Sequence, residues 1–357
     1  MIFETSTQTV SENTEAQAYF QQLQGFFETS LLKSGGPIDR FYQIAGFVLR
    51  FRFSGSGLLS RFSPAFNHLL IPASDHSDLT IYLWEAESVP NITPLPWSSN
   101  DYLPMGFIRG YNDERFVTIF QQESRALNML DAVTNEAVFC VPAAKKIPSF
   151  ENGHPLIPLL HSWLARHERQ LVHAAAVGKP EGGVLISGQG GCGKSSTALA
   201  CLGSSLSYAG DDFVAVRVSP QPFVFSVYNT GKLEPEHLMR FPHLVSFHRD
   251  QKEKSNEKVL FYLHQEFREE IISGFPIKAL LFPEVVKGAS RIFPITPYEA
   301  LKALAISTVS LLPGLFDLSL KNLAKLARQL PGYSLELGPD LSAIPALIED
   351  VISRAKR

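Results

Sequence analysis

The sequence has few cysteines, no long apolar run and no strong excess of either charge. Only three cysteines occur among its 357 residues, Cys140, Cys192 and Cys201, and they form neither a CxxC pair nor a His/Cys cluster. This pattern argues against a disulfide scaffold and against a structural zinc site. It fits the reducing cytoplasm, where we expect the protein to work.

Long apolar runs are also missing. No stretch approaches the ~18 apolar residues that a membrane helix needs, and residues 277–282, one of the longest runs, contain Lys278 and precede Pro283. The first residues lack a basic stretch followed by an apolar one, so we expect no signal peptide. The 32 basic and 35 acidic side chains give a net charge of −3, which attracts the whole protein neither to nucleic acid nor to an anionic membrane.

What the chain does have is enough apolar material for a large core, since 45% of its residues are hydrophobic. Its length favours two domains. Residues 1–145 combine a helical stretch at 15–32 with short apolar runs between turns, which predicts a β-rich, mainly antiparallel N-terminal domain. Segment 142–155 contains Pro, Gly and Ser and is the candidate linker. Residues 155–357 alternate predicted strands and helices, which predicts an α/β domain.

Several elements can be placed from local pattern. The strands predicted in the N-terminal domain are 44–53, 79–84, 105–111, 115–121 and 135–141. In the second domain, apolar segments predict strands over 171–177 and 183–187. Thr296, followed by Pro297 and then by Glu299 three residues after the cap, predicts the start of a helix.

The strongest signal is the segment GQGGCGKS at residues 188–195, which matches G-x-x-x-x-G-K-[ST] in full. Glycines let successive backbone N–H groups wrap around a phosphate, the lysine reaches the β- and γ-phosphates, and the serine hydroxyl ligates Mg²⁺. An apolar strand precedes the loop and a helix-compatible segment follows it, as this motif requires. The predicted nucleotide-binding residues are Gly188, Gly190, Gly191, Cys192, Gly193, Lys194, Ser195 and Ser196.

Two adjacent carboxylates, Asp211 and Asp212, follow this loop closely. Neighbouring side chains point in different directions in an extended strand, so one can approach Mg²⁺ while the other faces an acceptor hydroxyl. A plain surface turn is the alternative, because Gly-Asp-Asp is a common turn sequence. His173 lies in an apolar strand before the loop, where a core histidine is the alternative to a place near the phosphates.

Together these residues resemble the HPr kinase/phosphorylase family, over residues 171–216. The resemblance implies a P-loop kinase domain of the HPr kinase and phosphoenolpyruvate carboxykinase type, here preceded by a smaller β-rich domain. It implies ATP-dependent phosphorylation of a serine hydroxyl. By the same resemblance, Asp211 matches the catalytic aspartate and His173 the active-site histidine, with Lys194 in the loop. Asp212 would contact Mg²⁺ together with Ser195.

Further segments resemble a looser branch of HPr-kinase-like proteins, which includes lasso-peptide precursor kinases. These segments are residues 228–233, with Tyr228 and Lys232, residues 297–301 with Ser307 and Thr308 nearby, and residues 335–338. The N-terminal half does not resemble the family's N-terminal domain, and its Glu-x-Arg-Gly segment has no clear counterpart here. The resemblance therefore implies neither HPr as substrate nor reversal by phosphorolysis.

The sequence thus predicts a cytoplasmic kinase that uses ATP and Mg²⁺ to phosphorylate a serine-type hydroxyl of a peptide or protein. Two alternatives stay open: a small metabolite as acceptor, and a non-catalytic nucleotide-binding sensor or assembly protein. We expect the N-terminal domain to bind the acceptor or a partner. No nucleic acid or membrane partner is expected, and a homo-oligomer is an analogy with the family only.

Overall fold

The computed structural model describes residues 13–89, 95–248 and 258–355. Its helices are α1 (Thr14–Ser34), α2 (Ser56–Phe66), α3 (Ile157–Arg166), α4 (Lys194–Leu199), α5 (Pro242–His248), α6 (Pro297–Thr308), α7 (Phe316–Gln329) and α8 (Ile344–Arg354). The strands of the first half are β1 (Pro37–Ile44), β2 (Phe47–Ser54), β3 (Leu70–Ile71), β4 (Leu79–Glu85), β5 (Phe116–Gln121), β6 (Ala126–Asp131) and β7 (Glu136–Val141). Those of the second half are β8 (Gln170–Val172), β9 (Ala174–Lys179), β10 (Gly182–Ser187), β11 (Ser207–Gly210), β12 (Val214–Arg217), β13 (Phe223–Phe225), β14 (Thr230–Leu233), β15 (Val259–Tyr262), β16 (Gly274–Val285), β17 (Arg291–Ile295) and β18 (Gly332–Leu337).

The first seven strands form one sheet in the order β3-β1-β2-β4-β7-β6-β5. Hairpins pair β1 with β2, β5 with β6 and β6 with β7, but β4 runs parallel to both β2 and β7. The sheet is therefore mainly antiparallel, with two parallel pairings at its centre. Parallel strands need a crossover connection, and the unpredicted helix α2 supplies the one between β2 and β4.

Local pattern placed some of these elements well and others badly. The predicted helix 15–32 is α1, and β4, β5 and β7 confirm three predicted strands. The predicted strand 44–53 is interrupted by a turn at Ala45 and Gly46, both with positive φ, so that β2 begins only after it. The predicted strand 105–111 is wrong, because a short 3₁₀ turn and isolated bridges occupy it.

The first sheet is covered on both faces. Helix α1 packs Phe20 and Phe27 into a cluster with Trp84 and Met129 on one face. The opposite face belongs to a larger cluster that includes α2 and α3 and also residues of the second half, such as Tyr228. Because both halves contribute to this buried cluster, they pack directly on each other. The boundaries at 145 and 155 remain predictions.

Among the described residues, nine strands form the second sheet, in the order β11-β9-β10-β16-β13-β12-β8, with β18 on β16 and β17 on β18. Strands β10, β16 and β18 are parallel to one another. Helices α4 and α8 pack on one face and α6 and α7 on the other, so this half is a mixed α/β unit, as predicted. The predicted cap of α6 is present, with Thr296 and Glu299 forming a capping box. Within the described ranges, no helix is long and apolar enough to cross a membrane.

In this sheet β8 is followed almost directly by β9, and β11 by β12. The two short interruptions lie next to each other. Only His173 separates β8 from β9, which the sequence predicted as one strand, and only residues 211–213 separate β11 from β12. Strand β9 pairs with β11, whereas β8 pairs with β12. His173 and the two aspartates therefore face each other where the pairing changes. Strand β10 ends at Ser187, opposite Ala174, which brings the glycine-rich loop to the same edge.

Candidate active site

The glycine-rich loop joins β10 to α4, as the sequence predicts. Gly188, Gly191 and Gly193 have φ angles of +146°, +82° and +102°, a region in which glycine carries no steric cost. A Cβ at Gly188 would approach the Cys192 sulfur to 2.8 Å, and one at Gly193 would collide with the Leu337 side chain. The loop conformation therefore depends on these glycines. Gly190 and Gly191 are exposed, with open space where a side chain would stand.

Lys194 folds back over the loop from which it starts. Its Nζ donates to the carbonyl oxygens of Gly188 at 2.8 Å and Gln189 at 3.1 Å, and the residue is only 7% exposed. A phosphate held by the loop amides would compete with these carbonyls for the ammonium group. Ser195, the next residue, is half-buried, and Ser196 is buried.

Asp211 lies on the loop side of the site. It is 1% exposed, and neither carboxylate oxygen has a hydrogen-bond partner in the described chain. Burial raises its pKa, and so does the negative charge of Asp212, whereas Ser195 and Lys194 lower it. Ser195 lowers the pKa of Asp211 although its hydroxyl does not meet the distance and angle of a hydrogen bond to the carboxylate. A buried carboxylate without partners is costly.

The Asp211 carboxylate beside the Ser195 hydroxyl is a donor set that fits Mg²⁺. This ion prefers oxygen ligands and is bound through one or two carboxylates together with substrate phosphates and waters. No group of three or more His, Cys, Asp or Glu side chains among the described residues could hold a metal by itself. An ion at this place would therefore depend on the nucleotide for further ligands.

Asp212 has entirely different neighbours. Its carboxylate lies 2.7 Å from Lys232 Nζ, 3.3 Å from His173 Nε2 and 3.4 Å from His154 Nε2. Burial alone would raise its pKa, but the hydrogen bond from His173 and the charge of Lys232 together lower the pKa well below its usual range. The backbone of Asp212 has a φ of +67°, which is uncommon for a residue other than glycine. Asp212 is therefore ionised and held by the protein itself.

Two of these neighbours, Lys232 and His154, were not predicted as site residues. Lys232 lies on β14 and belongs to the segment 228–233, to which the resemblance assigned no role. His154 lies in the predicted linker, and burial together with Lys232 lowers its pKa to about 4. Nothing in the sequence links His154 to Asp212, because only the packing of the two halves brings them together.

Residues at the C-terminal end of α6 hydrogen-bond to His173. Its Nδ1 lies 3.1 Å from the backbone oxygen of Ser307 and 3.0 Å from the Ser307 hydroxyl. The same hydroxyl lies 2.8 Å from the carbonyl oxygen of Gly188 and 3.0 Å from that of His173. Thr308 accepts a hydrogen bond from the backbone N–H of His173 at 3.3 Å. Ser307 thus joins the histidine to the first residue of the loop.

The structure brings the predicted site residues to one edge of the second sheet. His173 contacts Asp212, and Asp211 lies close to Lys194 and Ser195. Cys192 is half-buried, and burial raises the pKa of its thiol, which fits a tolerated small residue rather than a nucleophile. The chemical roles assigned to these residues remain predictions.

Comparison with solved structures gives a distant likeness, whereas comparison by sequence gives none. No known protein family matches the chain, and no curated protein matches it. Among solved structures, it is similar to the HPr(Ser) kinase/phosphatase from Coxiella burnetii. The two are 12% identical over 52% of this chain and 96% of that chain, with a TM-score of 0.29. This is a distant structural relationship that covers about half of the chain.

Proposed function

We propose that this protein is an ATP- and Mg²⁺-dependent phosphotransferase that phosphorylates a serine-type hydroxyl of a peptide or protein. The observation that carries the proposal is a complete P-loop beside a buried aspartate pair whose members face different partners. Asp211 is near Ser195 and Asp212 is bound to His173. Phosphoryl transfer depends mainly on positioning and charge stabilisation, and this arrangement offers a separate place for each.

In this proposal the loop amides and Lys194 hold the phosphates of ATP. Lys194 already lies at the loop, bound to the carbonyl oxygens of Gly188 and Gln189. Its side chain needs only a short rearrangement to reach a bound β- or γ-phosphate. The open space at Gly190 and Gly191 lets a phosphate approach the backbone closely.

We assign the binding of Mg²⁺ to Asp211 and Ser195. A P-loop serine and an aspartate from elsewhere in the chain hold Mg²⁺ in P-loop enzymes, and Asp211 is the carboxylate near Ser195. When bound, the ion supplies positive charge to the phosphates. This assignment exchanges the roles that the family resemblance implied, because Asp212 is already bound to Lys232 and His173.

Asp212 and His173 then face the acceptor hydroxyl. Lys232 and His154 orient the Asp212 carboxylate and, with His173, keep it ionised. An ionised, fixed carboxylate accepts a hydrogen bond from the acceptor hydroxyl, orients its oxygen toward the γ-phosphate and takes its proton during transfer. Ser307 fixes the orientation of the His173 ring.

The test compares four proteins with γ-labelled ATP and Mg²⁺ in a lysate of the source organism. They are the wild type, Asp211→Asn, Asp212→Asn and, as a matched control, Asp340→Asn, which removes an exposed carboxylate. Protein, peptide and small-molecule fractions are separated after the reaction. We expect label in the protein or peptide fraction from the wild type and the control only.

Each other outcome has a defined meaning. Label confined to small molecules would favour the metabolite alternative. Absence of label from every fraction, with binding of Mg·ATP shown separately, would contradict a kinase acting in that lysate and favour the nucleotide sensor. Equal labelling by Asp212→Asn and the wild type would contradict the role proposed for Asp212.

A further inference from the structure

A cavity of about 180 Å³ lies between α1 and the first sheet. The residues that line it from the helix and from the strands are Tyr19, Leu23, Phe26, Phe120, Leu127 and Cys140. Those on the helix recur at intervals of four and three residues, which places them on one helical face. The helix therefore covers this space with a single row of side chains.

The cavity is separate from the candidate active site. Its strand residues belong to the buried cluster that α1 covers, whereas the second half of the molecule packs on the opposite face of the same sheet. The cavity shares no lining residue with the P-loop or the aspartate pair. The first sheet thus stands between the two places.

The size and walls of the cavity suit a small apolar body. Most of the lining side chains are apolar, and Leu95 and Pro142 complete them. An apolar cavity of ~150 Å³ in a protein interior holds a molecule of the size of benzene. A space of about 180 Å³ therefore accommodates one ring or one short branched chain together with a small polar group.

One cationic residue, Arg125, lines this cavity. It ends the turn between β5 and β6 and is exposed, which places it where the cavity meets the solvent. Among the described residues, Arg125 forms neither an ion pair nor a hydrogen bond, and no lining residue is acidic. The mouth of the cavity therefore carries a positive charge without a counter-charge.

The other polar groups of the lining are neutral. The Tyr19 hydroxyl has no hydrogen-bond partner in the part of the chain that the structure describes, and burial raises its pKa, so that it stays protonated. Burial also raises the pKa of the Cys140 thiol. Tyr19 is therefore available as a donor, and the charge of the lining comes from Arg125.

We propose that this cavity binds a small apolar monocarboxylate, an aryl or short branched-chain acid, with Arg125 as its counter-charge. A guanidinium group matches a planar carboxylate through two parallel hydrogen bonds, and a single negative charge needs only one arginine. The apolar body fills the space between α1 and the strands, where its removal from water stabilises the complex. The carboxylate stays at the mouth, where Arg125 lies.

An ordinary solvated arginine is the simpler explanation, and Arg115 offers a comparison. It lies at the opposite end of the β5–β6 hairpin, where its Nε and Nη2 donate to the Asp131 carboxylate at 2.9 and 2.8 Å. It also lies over the Phe116 ring, 4.7 Å from its centre. Arg115 thus has its anion and its apolar contact within the protein, whereas Arg125 borders an apolar space and has no anion among the described residues.

The test measures binding by isothermal titration calorimetry, with phenylacetate as the probe. Acetate supplies the charge without the body, and 2-phenylethanol supplies the body without the charge. We expect phenylacetate to bind about tenfold more tightly than 2-phenylethanol, the scale of one charge-assisted interaction, and acetate to show no binding. No binding of phenylacetate, or equal affinity for the acid and the alcohol, would overturn the proposal. Because no phosphoryl transfer is measured, the result is independent of the proposed kinase activity.

Variants at the mouth assign the effect to Arg125. Arg125→Gln should lose the preference for the acid and keep the affinity for 2-phenylethanol. Arg125→Glu should reverse the preference, so that 2-phenylethylammonium binds more tightly than phenylacetate. Arg328→Gln, which changes an exposed arginine of α7, is the control and should bind like the wild type. An unchanged preference in Arg125→Gln would place the acid elsewhere, for example at the P-loop, and contradict the proposal.

A larger side chain inside the cavity tests the place of the apolar body. Ala86 follows β4 and lines the same space, so Ala86→Leu should weaken phenylacetate and 2-phenylethanol alike. Denaturant unfolding without ligand shows whether this variant folds, and the variants at the exposed Arg125 decide the question if it does not. A folded Ala86→Leu protein that binds phenylacetate as tightly as the wild type would contradict this cavity as the site.

Discussion

The two sides of the candidate active site differ in how their charges are satisfied. On the loop side, the buried carboxylate of Asp211 has no hydrogen-bond partner within the described residues. On the other side, Asp212 contacts a lysine and two histidines. A group left unpaired inside a protein awaits a ligand or carries a cost, whereas a paired group is already in position. This difference is the basis on which we propose Asp211 for the metal and Asp212 for the acceptor.

The largest expected effect comes from the loop side. Lys194→Ala removes the cation that we propose contacts the phosphates and should lower phosphoryl transfer about a thousandfold, the scale expected for loss of a fixed charge at developing negative charge. Single-turnover measurements with γ-labelled ATP provide the rate. Lys302→Ala, which changes an exposed lysine of α6, is the control. A rate within a factor of two of the wild type would contradict the role of Lys194.

The two aspartates should respond in opposite ways when each becomes asparagine. Asp212→Asn leaves the partly buried ammonium group of Lys232 without its partner charge and should cost about 3 kcal/mol of unfolding free energy. Asp211→Asn replaces a buried, unpaired carboxylate by a neutral amide and should leave stability unchanged or raise it. Denaturant unfolding without nucleotide measures both.

The two aspartate variants should also differ in metal binding. Asp211→Asn should weaken Mn²⁺ binding in the presence of nucleotide, while Asp212→Asn should bind Mn²⁺·ATP almost normally and lose transfer. Titration of bound Mn²⁺ checks this without an activity assay. If Asp212→Asn lost the metal and Asp211→Asn kept it, the roles implied by the family resemblance would be restored.

A smaller effect is expected for Ser307, which connects the glycine-rich loop to His173. Ser307→Ala removes the hydroxyl that lies between Gly188 and His173 and should lower kcat about tenfold, in the range for residues that orient a catalytic group. The KM for ATP should change less. Ser310→Ala, an exposed serine nearby, is the control. Equal kcat values for the two variants would show that Ser307 does not position His173.

The smallest effect is expected at Cys192. Its loop position supplies a backbone amide, and burial keeps its thiol protonated by raising the pKa. Cys192→Ala should therefore change kcat less than about twofold, within the usual effect of a substitution away from the chemistry. Steady-state kinetics with the acceptor measures this. A large loss of kcat with unchanged nucleotide binding would assign chemistry to the thiol after all.

Prediction from the sequence worked where the signal is local. The capping box at Thr296 and the glycines of the P-loop depend on a few neighbouring residues, and both are present in the structure. Helix α2 was missed, and the predicted strand 105–111 is mostly turn. Both errors lie where tertiary packing overrides local pattern, at the crossover to β4 and around Met105, whose φ is positive.

The sequence by itself determined the glycine-rich loop, the aspartate pair that follows it and the mixed α/β character of the second half. These depend on backbone freedom at glycine, on caps and on apolar periodicity, all of which act over a few residues. Only the tertiary structure decided that Asp211 stays unpaired near Ser195 while Asp212 contacts Lys232 and His154. Those partners come from distant segments, and burial among them sets the charge of each carboxylate.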